Sequence, residues 1–270
     1  WLNLTMDHIG RHRTMETYGS TKSRIYSNQK ENDWLVYNSG DKSVSEFAAQ
    51  APGKKIPFNP DGDTGAFLDD GILVIDFEDK HFVLCARNEL KIQGRHNLEN
   101  ALAGAAATAV FGISKDRISQ GLRSFPGIEH RQEVIGVFDG VTIVNDSKAT
   151  NVDSTLKALE TFDAPIILIA GGQGKGESFA PAKQLIEEKV KLIIALGETA
   201  EEIIREFAGA AETMFAPDME TAVKLSLDYA VSGDTILLSP MCASFDMFDD
   251  FEHRGRTFKK LVKKEIVRRK

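Results

Sequence analysis

The feature that most constrains the fold is a regular alternation of short apolar runs and helical segments in the second half of the chain. The apolar runs are TIVND, PIILIAGG, KLIIALG and DTILLSP, and between them lie DSTLKALETF, APAKQLIEEKV, ETAEEIIREFA and METAVKLSLDYAV. The runs have the length of strands, whereas the intervening segments repeat their apolar residues at helical spacing. This alternation predicts an α/β fold with a mostly parallel, doubly wound sheet that helices cover on both faces.

The first part of the chain, to about Phe125, has a mixed pattern. DWLVYNS, GILVIDF and HFVLCARNEL have the character of strands, and TMETYGSTKSRIYSN, HNLENALAGAAATAVFGI and SKDRISQGLRSF that of helices. Pro126 and Gly127 interrupt both patterns. We therefore expect two domains, residues 1–125 and 126–270, with ligand sites at the carboxyl ends of the strands.

Composition excludes several function classes. Of the 270 residues 42% are hydrophobic and 27% charged, and the formal net charge is −7, which indicates a globular protein and argues against nucleic acid as a partner. No apolar run approaches the roughly 18 residues needed to cross a bilayer, and the basic tail FKKLVKKEIVRRK is predicted to be a solvated amphipathic helix. Cys85 and Cys242 are far apart in the sequence, so we expect no disulfide and a reducing cytoplasm.

Three loops that follow predicted strands carry polar side chains suited to anions. They are NDSKATN, GGQGKGESF and SPMCASFDMFDDF, and in a doubly wound sheet they would face one crevice. Lys148, Lys175 and Ser244 could hold a carboxylate or a phosphate there. A simpler alternative stays open for each loop: a capped helix with a solvated Lys148, a flexible turn at Lys175, and a helix cap beside a thiol at Ser244.

Polar residues in the first half are less informative by themselves. Asn97 and Asn100 enter a predicted helix three residues apart, so they share a face and could contact a purine or a phosphate. N-capping is the simpler alternative for one of them. His8 and Lys22, taken alone, indicate surface residues.

Taken together and in order, the motifs identify a family. HNLENALA, GIEHRQE, NDSKATN, GGQGKG and SPMCASFDMFDDFEHRGRTF closely resemble the Mur ligases, and the opening LNLTMDHIGRHRTMETYGSTKSRIY resembles the central domain of that family. NDSKATN is the most discriminating motif and resembles the members that add D-glutamate. The resemblance implies a central ATP-binding domain followed by a Rossmann-like, glutamate-binding C-terminal domain.

The resemblance also implies a reaction and its ligands. It implies an ATP-dependent carboxylate–amine ligase of cytoplasmic peptidoglycan precursor synthesis, which joins D-glutamate to UDP-N-acetylmuramoyl-L-alanine through an acyl phosphate. Mg²⁺ would neutralise the anionic reactants. The enzyme would be a monomer without nucleic-acid partners or membrane insertion.

Residue roles are carried over from the family onto matching positions. The metal ligands would be His8 and a carbamylated Lys22, and these two would form the catalytic set together with Lys148. The residues that would hold ATP are Asn97, Asn100, His130, Arg131 and Asp146. Those that would hold D-glutamate are Lys148, Thr150, Lys175, Ser244 and Phe251.

Two features of the family have no counterpart in this sequence. The N-terminal UDP-binding domain and the phosphate-binding loop of the G-x-x-G-K-[ST] kind are missing, so we expect a fragment that is inactive by itself. Two alternatives stay open: a non-catalytic module that binds glutamate or a nucleotide, and a sister amide ligase such as another Mur ligase or a folylpolyglutamate synthase.

Overall fold

The computed structural model describes residues 1–4 and 14–269, and His8 therefore lies outside the described residues. The chain divides into two compact units, residues 1–126 and residues 127–270. We call them the first and the second unit.

The first unit is built on a five-stranded sheet of order β1-β2-β3-β4-β5, in which β1 to β3 are parallel and β3 to β5 antiparallel. Its strands are β1 Trp34–Asn38, β2 Lys54–Phe58, β3 Gly65–Asp69, β4 Ile72–Phe77 and β5 Lys80–Ala86. Its helices are α1 Met15–Ser23, α2 Lys42–Ala48, α3 Arg95–Val110 and α4 Lys115–Ser124. The strands predicted at GILVIDF and HFVLCARNEL are confirmed as β4 and β5, which pair as an antiparallel hairpin, whereas β2, β3 and α2 have no counterpart in the prediction.

The Ala-rich helix α3 supplies much of the core of the first unit. Leu98 and Leu102 are buried against Ile56, Phe58 and Ile75 of the sheet, and five alanines of the helix are buried with them. Because alanine side chains are short, the helix can approach the sheet closely and exclude water over its whole length. The core therefore fixes the position of the helix that carries Asn97 and Asn100.

The second unit contains a six-stranded sheet of order β10-β9-β8-β11-β7-β6. Its strands are β6 Glu133–Phe138, β7 Val141–Asn145, β8 Ile166–Gly171, β9 Val190–Leu196, β10 Glu212–Phe215 and β11 Thr235–Leu238. All neighbours pair in parallel except β6 and β7, which form an antiparallel hairpin. Its helices are α5 Val152–Thr161, α6 Lys183–Lys189, α7 Ala200–Glu206, α8 Met219–Tyr229 and α9 Phe251–Arg269.

Helices cover both faces of this sheet, as the apolar runs predict. Ile166 and Leu168 of β8 point into a core with residues of α5, α6 and α7, whereas Ile167 and Ile169 point into a second core with residues of α8 and α9. A strand buried on both faces needs an apolar residue at every position, which explains the run PIILIAGG. The mostly parallel α/β prediction is confirmed.

The C-terminal helix is longer than its basic tail. It begins at Phe251, where the Asp250 carboxylate accepts a hydrogen bond from His253 N at 2.6 Å and so caps the first turn. Within the part of the chain that the structure describes, no helix combines the length and the apolarity that crossing a membrane requires.

Candidate functional site

The three polar loops of the second unit lie side by side at the carboxyl ends of the strands. They follow β7, β8 and β11, which are neighbours in the order β8-β11-β7. Gln173 and Ala243 exchange main-chain hydrogen bonds of 2.9 and 3.1 Å, which join the loop after β8 to the loop after β11. Gly172 has φ 137°, and a Cβ there would collide with Ala243 O, so only glycine permits this approach. The loops after β8 and β11 are therefore adjacent, and a crevice shared by all three loops stays a prediction.

The residues expected to hold D-glutamate lie on these loops. Lys148 Nζ lies over the ring of Phe251, 5.2 Å from its centroid. Lys175 Nζ donates to Thr150 O at 3.1 Å, which brings the loop after β8 against the loop after β7. Both lysines are exposed, whereas Ser244 is 2% exposed and lies in the turn after β11. Ammonium and hydroxyl groups of this kind are suited to holding a small anion.

The helix-cap alternative is wrong for the hydroxyl groups of the loop after β7. Asn151 caps α5 by accepting a hydrogen bond from Ser154 N at 2.9 Å, so neither Ser147 nor Thr150 is the cap. Ser147 instead points inward and donates to Phe251 O at 2.8 Å. The amino end of α5 is therefore satisfied without the hydroxyls of the NDSKATN motif.

One buried arginine, which the sequence analysis did not single out, connects the loops. Arg254 is 2% exposed, and its guanidinium donates to Ser147 Oγ and Ser147 O and to the carbonyls of Cys242 and Ala243, at 2.8 to 3.2 Å. Burial lowers the pKa of Arg254 to about 10, and the group is still charged at neutral pH. Since Lys148 follows Ser147 and Ser244 follows Ala243, Arg254 fixes the chain beside both residues.

A sequence signal for Arg254 exists. Arg254, Phe258 and Val262 recur at four-residue spacing and are all buried, so they form the apolar stripe of α9. An arginine within such a stripe indicates a buried guanidinium with dedicated acceptors, because an unpaired buried charge is costly.

Asp146 directly follows β7 and lies almost completely inside the unit. It is 3% exposed, and its carboxyl group accepts hydrogen bonds from Ser239 Oγ at 2.8 Å and from Gln132 N at 3.1 Å. Burial raises the pKa of Asp146 to about 7, although these two hydrogen bonds and the charge of Arg131 oppose the change. The group therefore titrates near neutral pH.

In the loop before β6, His130 is buried and Arg131 is exposed. His130 and Gln132 have φ of 66° and 47°, an uncommon conformation for residues with a side chain. His130 is 2% exposed, and its Nδ1 lies 2.9 Å from Asn145 Nδ2, whereas Arg131 is exposed. Burial lowers the pKa of His130, which favours the neutral ring. Its ring also contacts Phe251 edge to face, with 6.3 Å between the centroids.

Among the described residues, one group has the composition of a metal site. The ligand atoms of Glu129, His130 and Glu133 lie within 4.8 Å of one another. However, Lys259 Nζ bonds Glu129 Oε1 at 2.6 Å and Glu133 Oε1 at 2.7 Å. Because this ammonium group already pairs with both carboxylates, we do not assign a metal to the cluster.

The remaining candidates lie in the first unit. Asn97 Nδ2 donates to Gln93 O at 2.7 Å, and Asn100 is half-buried on the same helix. The N-cap of α3 is Gly94, so neither asparagine has the capping role of the simpler alternative. Lys22 Nζ donates to Asn3 O at 3.3 Å and lies over the ring of Tyr18, 4.8 Å from its centroid. These surroundings suit an ammonium group.

Two family models match the chain. The model described as "Mur ligase middle domain" matches residues 1–108, and the model described as "Mur ligase, glutamate ligase domain" matches residues 130–242. Among curated relatives, the UDP-N-acetylmuramoylalanine--D-glutamate ligase of Alkaliphilus metalliredigens is 42% identical over 268 residues. The ligase of the same name from Salinibacter ruber is 41% identical over 269 residues. Each alignment covers 97% of this chain and 58% of the relative, so the chain spans about three-fifths of their length.

Solved structures share the fold at low sequence identity. MurF from Acinetobacter baumannii superposes with a TM-score of 0.72 at 19% identity, over 97% of this chain and 59% of that one. FolC of E. coli, solved in complex with DHPP and ADP, gives a TM-score of 0.67 at 15% identity, over 100% of this chain and 61% of that one. At these identities the likeness concerns the fold alone.

Proposed function

The chain belongs to the Mur ligase family, and from this premise we propose that it serves in an ATP-dependent ligase that adds D-glutamate to UDP-N-acetylmuramoyl-L-alanine. The observation that carries the proposal is the junction of three loops at one sheet edge, with Lys148, Lys175 and Ser244 on them. The relatives' name supports D-glutamate as the amine substrate. The expected compartment is the cytoplasm.

Lys148 and Lys175 hold the two carboxylates of D-glutamate in this proposal. Both ammonium groups are exposed, yet each has one fixed partner, the Phe251 ring for Lys148 and Thr150 O for Lys175. A partner of this kind restricts the lysine before the substrate arrives and so reduces the entropy lost on binding. Thr150 and Ser244 add hydroxyl groups, and the substrate amine stays unengaged for attack.

The residues that we propose to contact the nucleotide form two sets, one in each unit. In the second unit, Asp146 would accept the ribose hydroxyls, because two hydrogen bonds leave part of its acceptor capacity free. Arg131 presents an exposed guanidinium beside it, and His130 supports that loop from inside. In the first unit we propose Asn97 and Asn100 as nucleotide contacts.

Mg²⁺ fits the described residues only in part. Lys22 has the surroundings of a cation, a ring face and a carbonyl, and an ammonium group does not bind a metal ion. Carbamylation would replace the positive charge with an oxygen ligand of the kind that Mg²⁺ prefers. His8, the other proposed ligand, lies outside the described residues.

The reaction places a simple demand on this site. ATP supplies the phosphoryl group that activates the substrate carboxylate, and the amine of D-glutamate then forms the C–N bond while phosphate leaves. Lys148 and Lys175 fix the amine by holding both ends of the amino acid, which converts an encounter in solution into a positioned attack. Their positive charge also opposes the repulsion between anionic reactants.

Titration calorimetry of D-glutamate tests the proposal on the chain itself. We expect Lys148→Gln and Lys175→Gln each to weaken D-glutamate binding about 10- to 100-fold, the value of one charge-assisted hydrogen bond. Lys224→Gln is the matched control, because Lys224 is an exposed lysine on α8. Equal affinity for D- and L-glutamate, or no effect of either site variant, would contradict the proposal.

A further inference from the structure

A chain of buried hydroxyl groups lies behind Asp146. Ser239, just after β11, and Thr155, in α5, are both 0% exposed. Ser239 Oγ lies 2.8 Å from Asp146 Oδ2 and 3.0 Å from Thr155 Oγ1, and Thr155 Oγ1 donates to Ser239 O at 3.3 Å. Ser239 and Thr155 therefore have no access to water, whereas Asp146 keeps a small exposed fraction of 3%.

We propose that Ser239, backed by Thr155, is a positioning residue that holds the Asp146 carboxyl group for the ribose hydroxyls of a nucleotide, and that nucleotide binding there releases one proton. The inference rests on the nucleotide role proposed above for Asp146 and adds its proton linkage and the residues that set it.

The hydroxyl chain satisfies both protonation states of Asp146. When the carboxylate is ionised, Ser239 turns its single hydrogen toward Oδ2. When Oδ2 carries a proton, that proton is donated to Ser239 Oγ, Ser239 turns its hydrogen to Thr155 Oγ1, and Thr155 donates to Ser239 O. Each state leaves every hydroxyl hydrogen with an acceptor, and rotation of the Ser239 hydroxyl accompanies the loss of the proton.

The carboxylate of Asp146 has acceptor sites that protein donors leave free, and these decide whether nucleotide binding releases or takes up a proton. A carboxylate has about four lone-pair sites, and protein donors reach Asp146 from Ser239 and from Gln132 N. Two ribose hydroxyls would add donors that only the ionised form fully uses, so the bound state favours ionisation. The proton of Asp146 then passes to solvent as the nucleotide binds.

Charged groups on the neighbouring elements do not account for the proton release on nucleotide binding. In α5, Asp153 and Lys157 pair with each other at 2.6 Å, and the guanidinium of Arg254 is engaged by Ser147 and main-chain carbonyls. Arg131 lowers the pKa of Asp146 but less than burial raises it, and the result is about 7. Glu133 of β6 lies beside Asn145, and its carboxylate pairs with Lys259 at 2.7 Å. The other charged and titratable groups on these elements include His130, Arg131, Lys148, Asp153, Lys157, Glu160 and Arg254.

The sign of the pH dependence follows. Below about pH 7 the empty site is protonated and must lose its proton to bind, so affinity for nucleotide rises with pH by up to about tenfold per pH unit. Above that pH the carboxyl group is already ionised, and affinity no longer changes through this group.

Two measurements test the two halves of the proposal. The first is the NMR titration of the Asp146 carboxyl carbon in the nucleotide-free chain. Ser239→Ala removes a donor to the ionised form and is expected to raise the midpoint by about one pH unit. Thr155→Val removes the acceptor used in the protonated state and is expected to lower it.

These opposite directions distinguish positioning from simple loss of packing. Ser226→Ala is the matched control, since Ser226 is a buried serine whose hydroxyl donates to Val223 O within its own helix. It should leave the midpoint unchanged. If Ser239→Ala and Thr155→Val move the midpoint no further than Ser226→Ala, the positioning role is overturned.

The second measurement is calorimetry of ADP with Mg²⁺ at pH 6.5 in two buffers of different ionisation enthalpy. We expect release of most of one proton by the chain and of none by Asp146→Asn. Binding of ADP without proton release would overturn the linkage alone. Absence of ADP binding would overturn the proposed nucleotide site and the linkage with it, whereas the carboxyl titration still decides the role of Ser239.

Discussion

At the scale of single residues, Gly255 shows how a tertiary contact reverses an intrinsic preference. Gly255 lies inside α9, where alanine is ordinarily more stable than glycine by about 0.5–1 kcal/mol. A Cβ at this position would collide with His130 Nδ1, in a ring that is itself held by Asn145. The small residue therefore makes room for the buried histidine of the loop before β6.

We expect Gly255→Ala to destabilise the second unit by about 1–3 kcal/mol, the usual cost of overpacking a core. Gly121→Ala is the matched control: Gly121 lies in α4, and a Cβ there would meet nothing within 4 Å. That variant should instead gain about 0.5–1 kcal/mol. Thermal unfolding of the two variants checks the opposite signs, and stabilisation by Gly255→Ala would show that the His130 ring moves aside freely.

At the scale of elements, one side chain of α9 links two of the loops that follow strands. Arg254 bonds the main chain at Ser147 and at Cys242 and Ala243, and Ala243 in turn pairs with Gln173. Carbonyl groups receive most of these hydrogen bonds, so the loops are held through their backbones whatever side chains they carry. The geometry around Lys148 and Ser244 therefore depends on a residue outside both motifs.

We expect Arg254→Ala to cost about 3 kcal/mol or more, because buried carbonyls lose their donors, and to weaken D-glutamate binding along with it. Arg254→Lys should fall between this variant and the parent, since an ammonium group lacks the planar fork. Arg256→Ala is the matched control, as Arg256 is exposed on the same helix and should change stability by less than about 0.5 kcal/mol. Urea unfolding and calorimetry give both quantities, and equal behaviour of the two alanine variants would exclude a linking role for Arg254.

At the scale of the whole molecule, each unit has a sheet and hydrophobic cores of its own. The cores of the second unit draw their buried residues from positions 141–262, all within residues 127–270. All five residues proposed to hold D-glutamate lie in the same unit. A unit with its own core could in principle fold without the rest of the chain.

We therefore expect residues 127–270, produced alone, to fold and to bind D-glutamate with the affinity of the whole chain. Residues 1–126 serve as the control and should show no D-glutamate binding. Amide NMR spectra check the fold, and calorimetry checks the affinity. Loss of dispersed amide signals would mean that the second unit needs the first to fold, and loss of affinity in a folded unit would place part of the glutamate site outside it.

The sequence by itself determined the α/β class, the parallel sheet with helices on both faces, and the junction of the three loops. These features follow from periodicity, because a strand buried on both faces must be apolar throughout and loops after parallel strands share an edge. The motifs also indicated the Mur ligase family. Short or weakly patterned elements such as β2, β3 and β10 were not predicted, since four or five residues of mixed burial carry little periodicity.

Only the tertiary structure decided which polar residues face inward. Arg254 lies more than 100 residues from Ser147 in sequence, and Ser239 lies 93 residues from Asp146. The ionisation of Asp146 near pH 7 depends on how completely these distant segments remove it from water. Burial and hydrogen-bond partners arise from such long-range packing, which local patterns do not encode, and they set the charge and position of the groups that the motifs supply.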